Sequence, residues 1–221
     1  GTWYKIAVSR QGIYRMDAAM LSSMGITLPF PSGSIRLFGN GGKMLSESNL
    51  AKRPDDLLEN AIWVQDGGDG SFNSNDYFLF YAQGPQEWKR DPVSGLYRFH
   101  KNLYSDSAWY YINISGQGKR VTQQPLSAGT IAVNSFDDFY AHELDTVNFL
   151  GSGKEWYGEE FGTGPGRVQT REFTVPVQGL IINTPITLIS EVIARSAGQN
   201  SRFDVTLNRV SVQEHSLPPL P

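Results

Sequence analysis

The sequence predicts a mostly β protein of antiparallel sandwich, jelly-roll-like units with one or two short helices. Three observations carry that expectation. The 221 residues include 23 Gly and 12 Pro, so turns are frequent. Short runs of β-branched and aromatic residues recur between those turns. The two longest alternating runs, in ITLISEVIARS and RFDVTLNRVSVQEH, lie close together near the C-terminus.

The elements follow in order. WYKIAVSRQGIYRM (Trp3 to Met16) reads as two strands around a turn at Ser9 to Gly12, a hairpin. Asp17 then offers an N-cap to Ala18, Ala19, Met20 and Leu21, and Gly25 supplies the left-handed residue that ends a short helix. In PFPSGSIRLFGNGGKML a strand at Ile35 to Phe38 runs into GNGG, which lacks phosphate-loop spacing and reads as a hairpin turn. AIWVQ and DYFLFYAQG are strands on either side of a polar loop, and Ala108 to Ile114 is another.

Val121 to Thr130, with Pro125, Ser127 and Gly129, is the best boundary. It divides the chain into 1–125, a β-rich unit with one short helix, and 126–221, an antiparallel sandwich unit. Phe136, Phe139, Tyr140, Leu144 and Val147 fit a helix and an extended segment about equally. From Arg167 the pattern is β: RVQTREFTVPV, ITLISEVIARS, then RFDVTLNRVSVQEH. The tail SLPPLP ends without a closing element, so the natural polypeptide is expected to continue and to complete the sandwich.

A net charge of −3 and a pI near 5.6 leave no broad basic field, which argues against nucleic acid and anionic membranes as partners. No apolar run reaches the length of a membrane span. With no cysteine, thiolate chemistry is absent from these residues.

The loop DGGDGSFNSND holds the candidate cation ligands Asp66, Asp69, Asn73, Asn75 and Asp76, oxygen donors of the kind calcium takes. If Gly70 takes the glycine place of an EF-hand, Asp69 and Asp76 fit, but Gly67 and Gln65 fill the other ligand places. The ordinary reading is a turn whose Asp and Asn side chains bond their own backbone; calcium is the only cofactor the sequence suggests. His100, His142 and His215 are scattered, and the pairs Asp137–Asp138 and Glu159–Glu160 point to opposite faces if extended. No GxSxG elbow is present. Trp88, Trp109 and Trp156 could stack on sugar rings or belong to a core.

Five ordered blocks carry a family resemblance: WYKIAVSRQGIYRMDAAMLSSMGI, IRLFGNGGKML, DDLLENAIWVQDGGDGSFNSNDYFLFYAQGPQEW, HKNLYSDSAWYYI and SGKEWYGEEF. Together they resemble the region preceding the catalytic domain in gingipain-related cysteine peptidases, of the PorU-type surface sortase kind of the type IX secretion system. The resemblance runs over nearly the whole chain and is strongest before residue 165. It implies a non-catalytic N-terminal module, exported to the outer surface of the outer membrane. Its implied partners are a downstream peptidase domain of the same chain and secretion-system proteins. No catalytic residue carries over, because the family's Cys–His pair lies further downstream. The alternative reading is a β-sandwich module that binds carbohydrate or lipopolysaccharide.

Overall fold

The computed structural model describes residues 1–126 and 129–220, in two compact units, Gly1–Arg171 and Glu172–Pro221. The expected division between 125 and 126 lies inside the first of them, and Ser127 of the expected linker lies outside the described residues. Contacts made by residues 139–157 explain why that stretch belongs with the first unit. Phe139 packs against Trp88 and Tyr97 with tilted rings, and the Lys101 ammonium donates to Asp145 Oδ2 at 2.6 Å.

The protein is mostly β, with several small antiparallel sheets and, among the described residues, one α-helix, as the composition predicts. In the first unit β1 (Trp3–Val8), β2 (Gly12–Asp17) and α1 (Ala18–Ser23) come first. They are followed by β3 (Phe30–Pro31), β4 (Ile35–Phe38), β5 (Glu59–Asn60), β6 (Trp63–Gln65) and β7 (Ser71–Phe72). Then come β8 (Tyr77–Ala82), β9 (Gln86–Arg90), β10 (Tyr97–Lys101) and β11 (Ala108–Ile114). One sheet is four-stranded, in the order β1-β11-β4-β5, and a second is three-stranded, in the order β2-β8-β6.

The two sheets share one core. Alternation sends Val8 of β1, Ile35 and Leu37 of β4, and Ala108, Tyr110 and Ile112 of β11 inward from the first. Met16 of β2 and Phe78, Phe80 and Ala82 of β8 meet them from the second. Phe80 and Tyr110 touch across the interface, their ring centroids 5.8 Å apart. Tyr110 keeps its polar end satisfied inside this core: its hydroxyl accepts from Gln83 N at 2.8 Å and donates to Gln83 O at 3.3 Å. Burial pushes its phenol above the ordinary range.

The expected hairpin of Trp3 to Met16 is not formed. β1 pairs with β11 and β2 with β8, so Ser9 to Gln11 carries the chain from one sheet to the other. Each strand has one apolar face for the shared core, and the two sheets divide them. The helix is as expected: the Asp17 side chain accepts from Met20 N at 3.0 Å, and Gly25 takes φ +89°.

GNGG is not a tight hairpin turn: β4 does pair antiparallel with the next strand, β5, but residues 39–58 lie between them. Its glycines allow close approach. A Cβ on Gly39 would fall 2.5 Å from the Tyr110 ring, and one on Gly42 would fall 2.4 Å from Ala108 Cβ and 2.9 Å from the Gly84 backbone.

Among the described residues, neither a helix nor a strand forms between 122 and 200; isolated bridges such as Val147 with Tyr157 are the only β pairing there. The apolar spacing from Phe136 to Val147 therefore makes neither of its two candidate elements, and the strands expected at 167–177 and 186–196 find no ladder. In the second unit β12 (Ser201–Leu207) and β13 (Val210–Leu217) form an antiparallel hairpin. Asn208 and Arg209 are its two-residue loop, both at positive φ as a type I′ turn requires.

Candidate functional site

The sequence-predicted cation loop joins β6 to β7 and β8, and its oxygens turn back onto its own backbone. Asp66 Oδ1 accepts from Gly68 N at 3.0 Å, Asp69 Oδ1 from Ser71 N at 2.8 Å, and Asn73 Oδ1 from Asn75 N at 3.3 Å. These are Asx turns, each spanning two residues. Asp76, buried at the start of β8, accepts from Asn73 N at 2.6 Å, and the other Asp66 oxygen accepts from the Ser32 hydroxyl. Gly67, Gly68 and Gly70 all take positive φ, which lets the chain fold back under these carboxylates. Among the described residues no three His, Asp or Glu side chains are grouped as metal ligands would be.

Two carboxyls here couple the fold to pH. The Ser32 hydroxyl, then Gly68 N–H, hold Asp66 below the ordinary carboxylate range, and Arg36 does the same for Glu59 through a 2.7 Å ion pair. A carboxyl that titrates lower folded than unfolded contributes stability that is complete above its unfolded pKa of about 4 and is lost as pH falls through the folded value. The thermal midpoint should therefore drop as pH is lowered below about 4, and E59Q should flatten part of that drop. A midpoint with the same acid slope in wild type and E59Q would remove Glu59 from this account.

The remaining predicted groups lie apart. His142 Nε2 sits 2.6 Å from Glu159 Oε1, and His215 Nε2 is 3.3 Å from the Ser190 hydroxyl in the second unit. The tryptophans fall at three different places, and two of those places have the character of binding surfaces.

The first is the outer face of the four-stranded sheet. Alternation directs Trp3, Lys5 and Ala7 outward from β1, and Trp109 and Tyr111 from β11. Arg36 and Phe38 face the same way from β4, opposite Asn113 and Tyr111. Trp3 is 51% exposed and Trp109 42%, while Phe38 is only 8% exposed because Trp3 lies edge-on to it at 5.0 Å. Lys5 stands 3.7 Å over the Trp109 ring, and Arg36 lies 4.8 Å over Phe38 while paired to Glu59. Rings and cations thus hold one another in place on this face of the sheet.

The second surface is built on the β9–β10 hairpin. Trp88 pairs with Phe99 across its strands, and Phe139 packs on Trp88 at 5.4 Å. A cleft of about 300 Å³ opens here, lined by Arg10, Gln86, Trp88, Phe139, Tyr140 and Glu143 among others. Lys101 closes one side. Its ammonium is held by Asp145 at 2.6 Å and Asp106 at 3.6 Å, and Asp145 above all raises its pKa. A second cleft of about 300 Å³ beyond Lys101 has Trp156 in its wall.

Sequence reasoning singled out Trp88, Trp109 and Trp156 but missed Trp3, Lys5, Arg10 and Lys101. The Trp3-Lys5-Ala7 alternation could have marked the outer face. The Lys101–Asp145 pair spans too much chain for any local pattern to reveal.

No family model matches the chain, and no curated protein matches it. Among solved structures it is similar to the crystal structure of dimeric latent PorU from Porphyromonas gingivalis, with 25% sequence identity and a TM-score of 0.41. That similarity covers 56% of this chain and 10% of the other, so the matched part spans about a tenth of that protein's length.

Proposed function

We propose that this chain is a non-catalytic accessory module that docks a neighbouring folded domain, in a surface sortase of the gingipain-related, type IX secretion kind. The observation that carries the docking role is the outer face of the four-stranded sheet. Trp, Tyr and Arg are the residues that dominate protein–protein binding energy, and here Trp3, Trp109, Tyr111 and Arg36 share one face of the sheet. Their cation–π and edge-on contacts fix the rings before any partner arrives, which lowers the entropy cost of association.

The assignment to the sortase kind rests on the ordered sequence blocks, which coincide with the strands and loops of the first unit. WYKIAV is β1, IRLF is β4, and the DGGDGSFNSND block is the Asx-turn loop leading into β8. On this reading the partner is a downstream peptidase domain of the same polypeptide or a secretion-system protein, and the location is the cell surface.

The test combines the chain with a separately produced type IX sortase catalytic domain in a calorimeter. Association is expected, and W3A/W109A should weaken it by about thirtyfold or more, as loss of a hot spot of about 2 kcal/mol does. Peptide turnover by the chain alone, or binding unchanged by the double substitution, would sink the proposal.

A further inference from the structure

We propose that the open edge of β1 is a docking site for an extended segment of a neighbouring domain, which adds to the sheet as a further strand and sets a glutamate against Lys5. The inference goes beyond the docking role, because it concerns the backbone edge of β1 and not the outer face alone. It rests on that reading only for the source of the added strand.

The edge comes first. β1 ends the four-stranded sheet, and its 6 residues pair in unbroken register with β11. Among the described residues its backbone hydrogen-bonds to no other segment. A strand turns its N–H and C=O groups alternately to either side, so those on the far side of β1 form a row that another strand can take up. WYKIAV contains neither the proline nor the bulge with which natural edges are commonly closed. The opposite edge of the same sheet, β5, is only 2 residues long.

Burial shows that this edge lacks a cover. Tyr4 and Ile6 face inward opposite Ile112 and Tyr110 of β11. Ile112 and Tyr110 are buried, whereas Tyr4 and Ile6 are only half-buried. A strand beyond β1 with apolar residues at the matching positions would shield them, as β1 shields its neighbours on β11.

A lysine in the middle of an edge strand often wards off such pairing. Lys5 is not placed to do so, because its ammonium is drawn back over the Trp109 ring of β11 at 3.7 Å. Among the described residues no carboxylate pairs with it, while Arg36 on the same face is paired with Glu59. An incoming strand therefore meets one unbalanced positive charge near its middle. A glutamate opposite Lys5 answers that charge and is long enough to reach back over the face. Pairing with β1 of a second copy would add another lysine instead. The occupant is thus a different segment, alternating apolar with polar residues and carrying an acid near its centre.

The experiment titrates the isotope-labelled 221-residue chain with the capped peptide Val-Thr-Val-Glu-Val-Thr-Val, and with its Lys-for-Glu counterpart, by NMR. The glutamate peptide should bind saturably, shift the amides of residues 3–8 and slow hydrogen exchange at alternate ones among them. The lysine peptide should bind about fivefold more weakly, in line with a cross-strand charge pair. K5E should reverse that preference. Absence of saturable binding overturns the proposal, as do shifts confined to residues outside β1, unchanged exchange at residues 3–8, or a glutamate preference that K5E leaves intact. Association of the sortase catalytic domain and its loss in W3A/W109A read the outer face separately, so the edge and the face can each fail alone.

Discussion

Gly118→Ala should be among the most damaging single-methyl changes available in this chain, lowering stability by about 3 kcal/mol or more. A Cβ at this position would fall 2.0 Å from the Ile35 carbonyl oxygen and 2.7 Å from Arg120 Nη1. The backbone angles are open to alanine, so space alone forbids it. Gly118 N donates to Gly33 O at 3.0 Å, and Arg120 donates to the carbonyls of Ile35 at 3.1 Å and Ser32 at 2.7 Å. Relief of the clash pushes the two segments apart and breaks those bonds together. It also strands a guanidinium whose desolvation already lowers its pKa. Gly42→Ala meets a similar obstacle, with Ala108 and the Gly84 backbone in the way. Gly129→Ala is the control: nothing lies within 4 Å of its Cβ, and the change should stay within about 0.5 kcal/mol. Urea denaturation of the three variants measures this. A G118A midpoint equal to that of G129A would show that residues 115–121 do not pack against β4 as described.

The glycines also mark the limit of what the sequence discloses. GNGG is visible as a break in pattern, but whether a glycine serves a turn, an anion or a close crossing depends on what lies opposite it. For Gly39 that is Tyr110, far along the chain. Alternation in β1, β4, β8 and β11 reveals which residues face the core, because burial of one face imposes a period of two. It does not reveal partners, and so β1 and β2 look like a hairpin although they belong to opposite sheets. The run from Phe173 through Val177 has the same alternation and no ladder, since a strand also needs a neighbour to take its hydrogen bonds. The Asx turns are the opposite case. Asp66 with Gly68, Asp69 with Ser71, and Asn73 with Asn75 are contacts across two residues, and local spacing alone makes them legible. The charged strands β9 and β10 escape a hydrophobic reading because one ring pair, Trp88 on Phe99, holds much of their packing.

Phe80→Ala should cost the first unit about 3–5 kcal/mol, the range for removing a fully buried aromatic ring. Phe80 is 2% exposed at the middle of β8, and its ring meets Tyr14 at 5.6 Å, Phe78 at 6.1 Å and Tyr110 at 5.8 Å. Tyr14 and Phe78 belong to its own sheet, while Tyr110 belongs to the other, so truncation removes the ring that joins the two layers. Tyr110 cannot follow into the gap without giving up its two bonds to Gln83. The cavity therefore stays largely open, which places the expected loss toward the upper part of that range. Leu79, next along the strand but facing away from the core, provides the contrast, and L79A should cost much less. All five tryptophans lie within Gly1–Arg171, so intrinsic fluorescence during urea unfolding reports this unit without interference from residues 172–221. Equal midpoints for F80A and L79A would mean that the two sheets do not share a core.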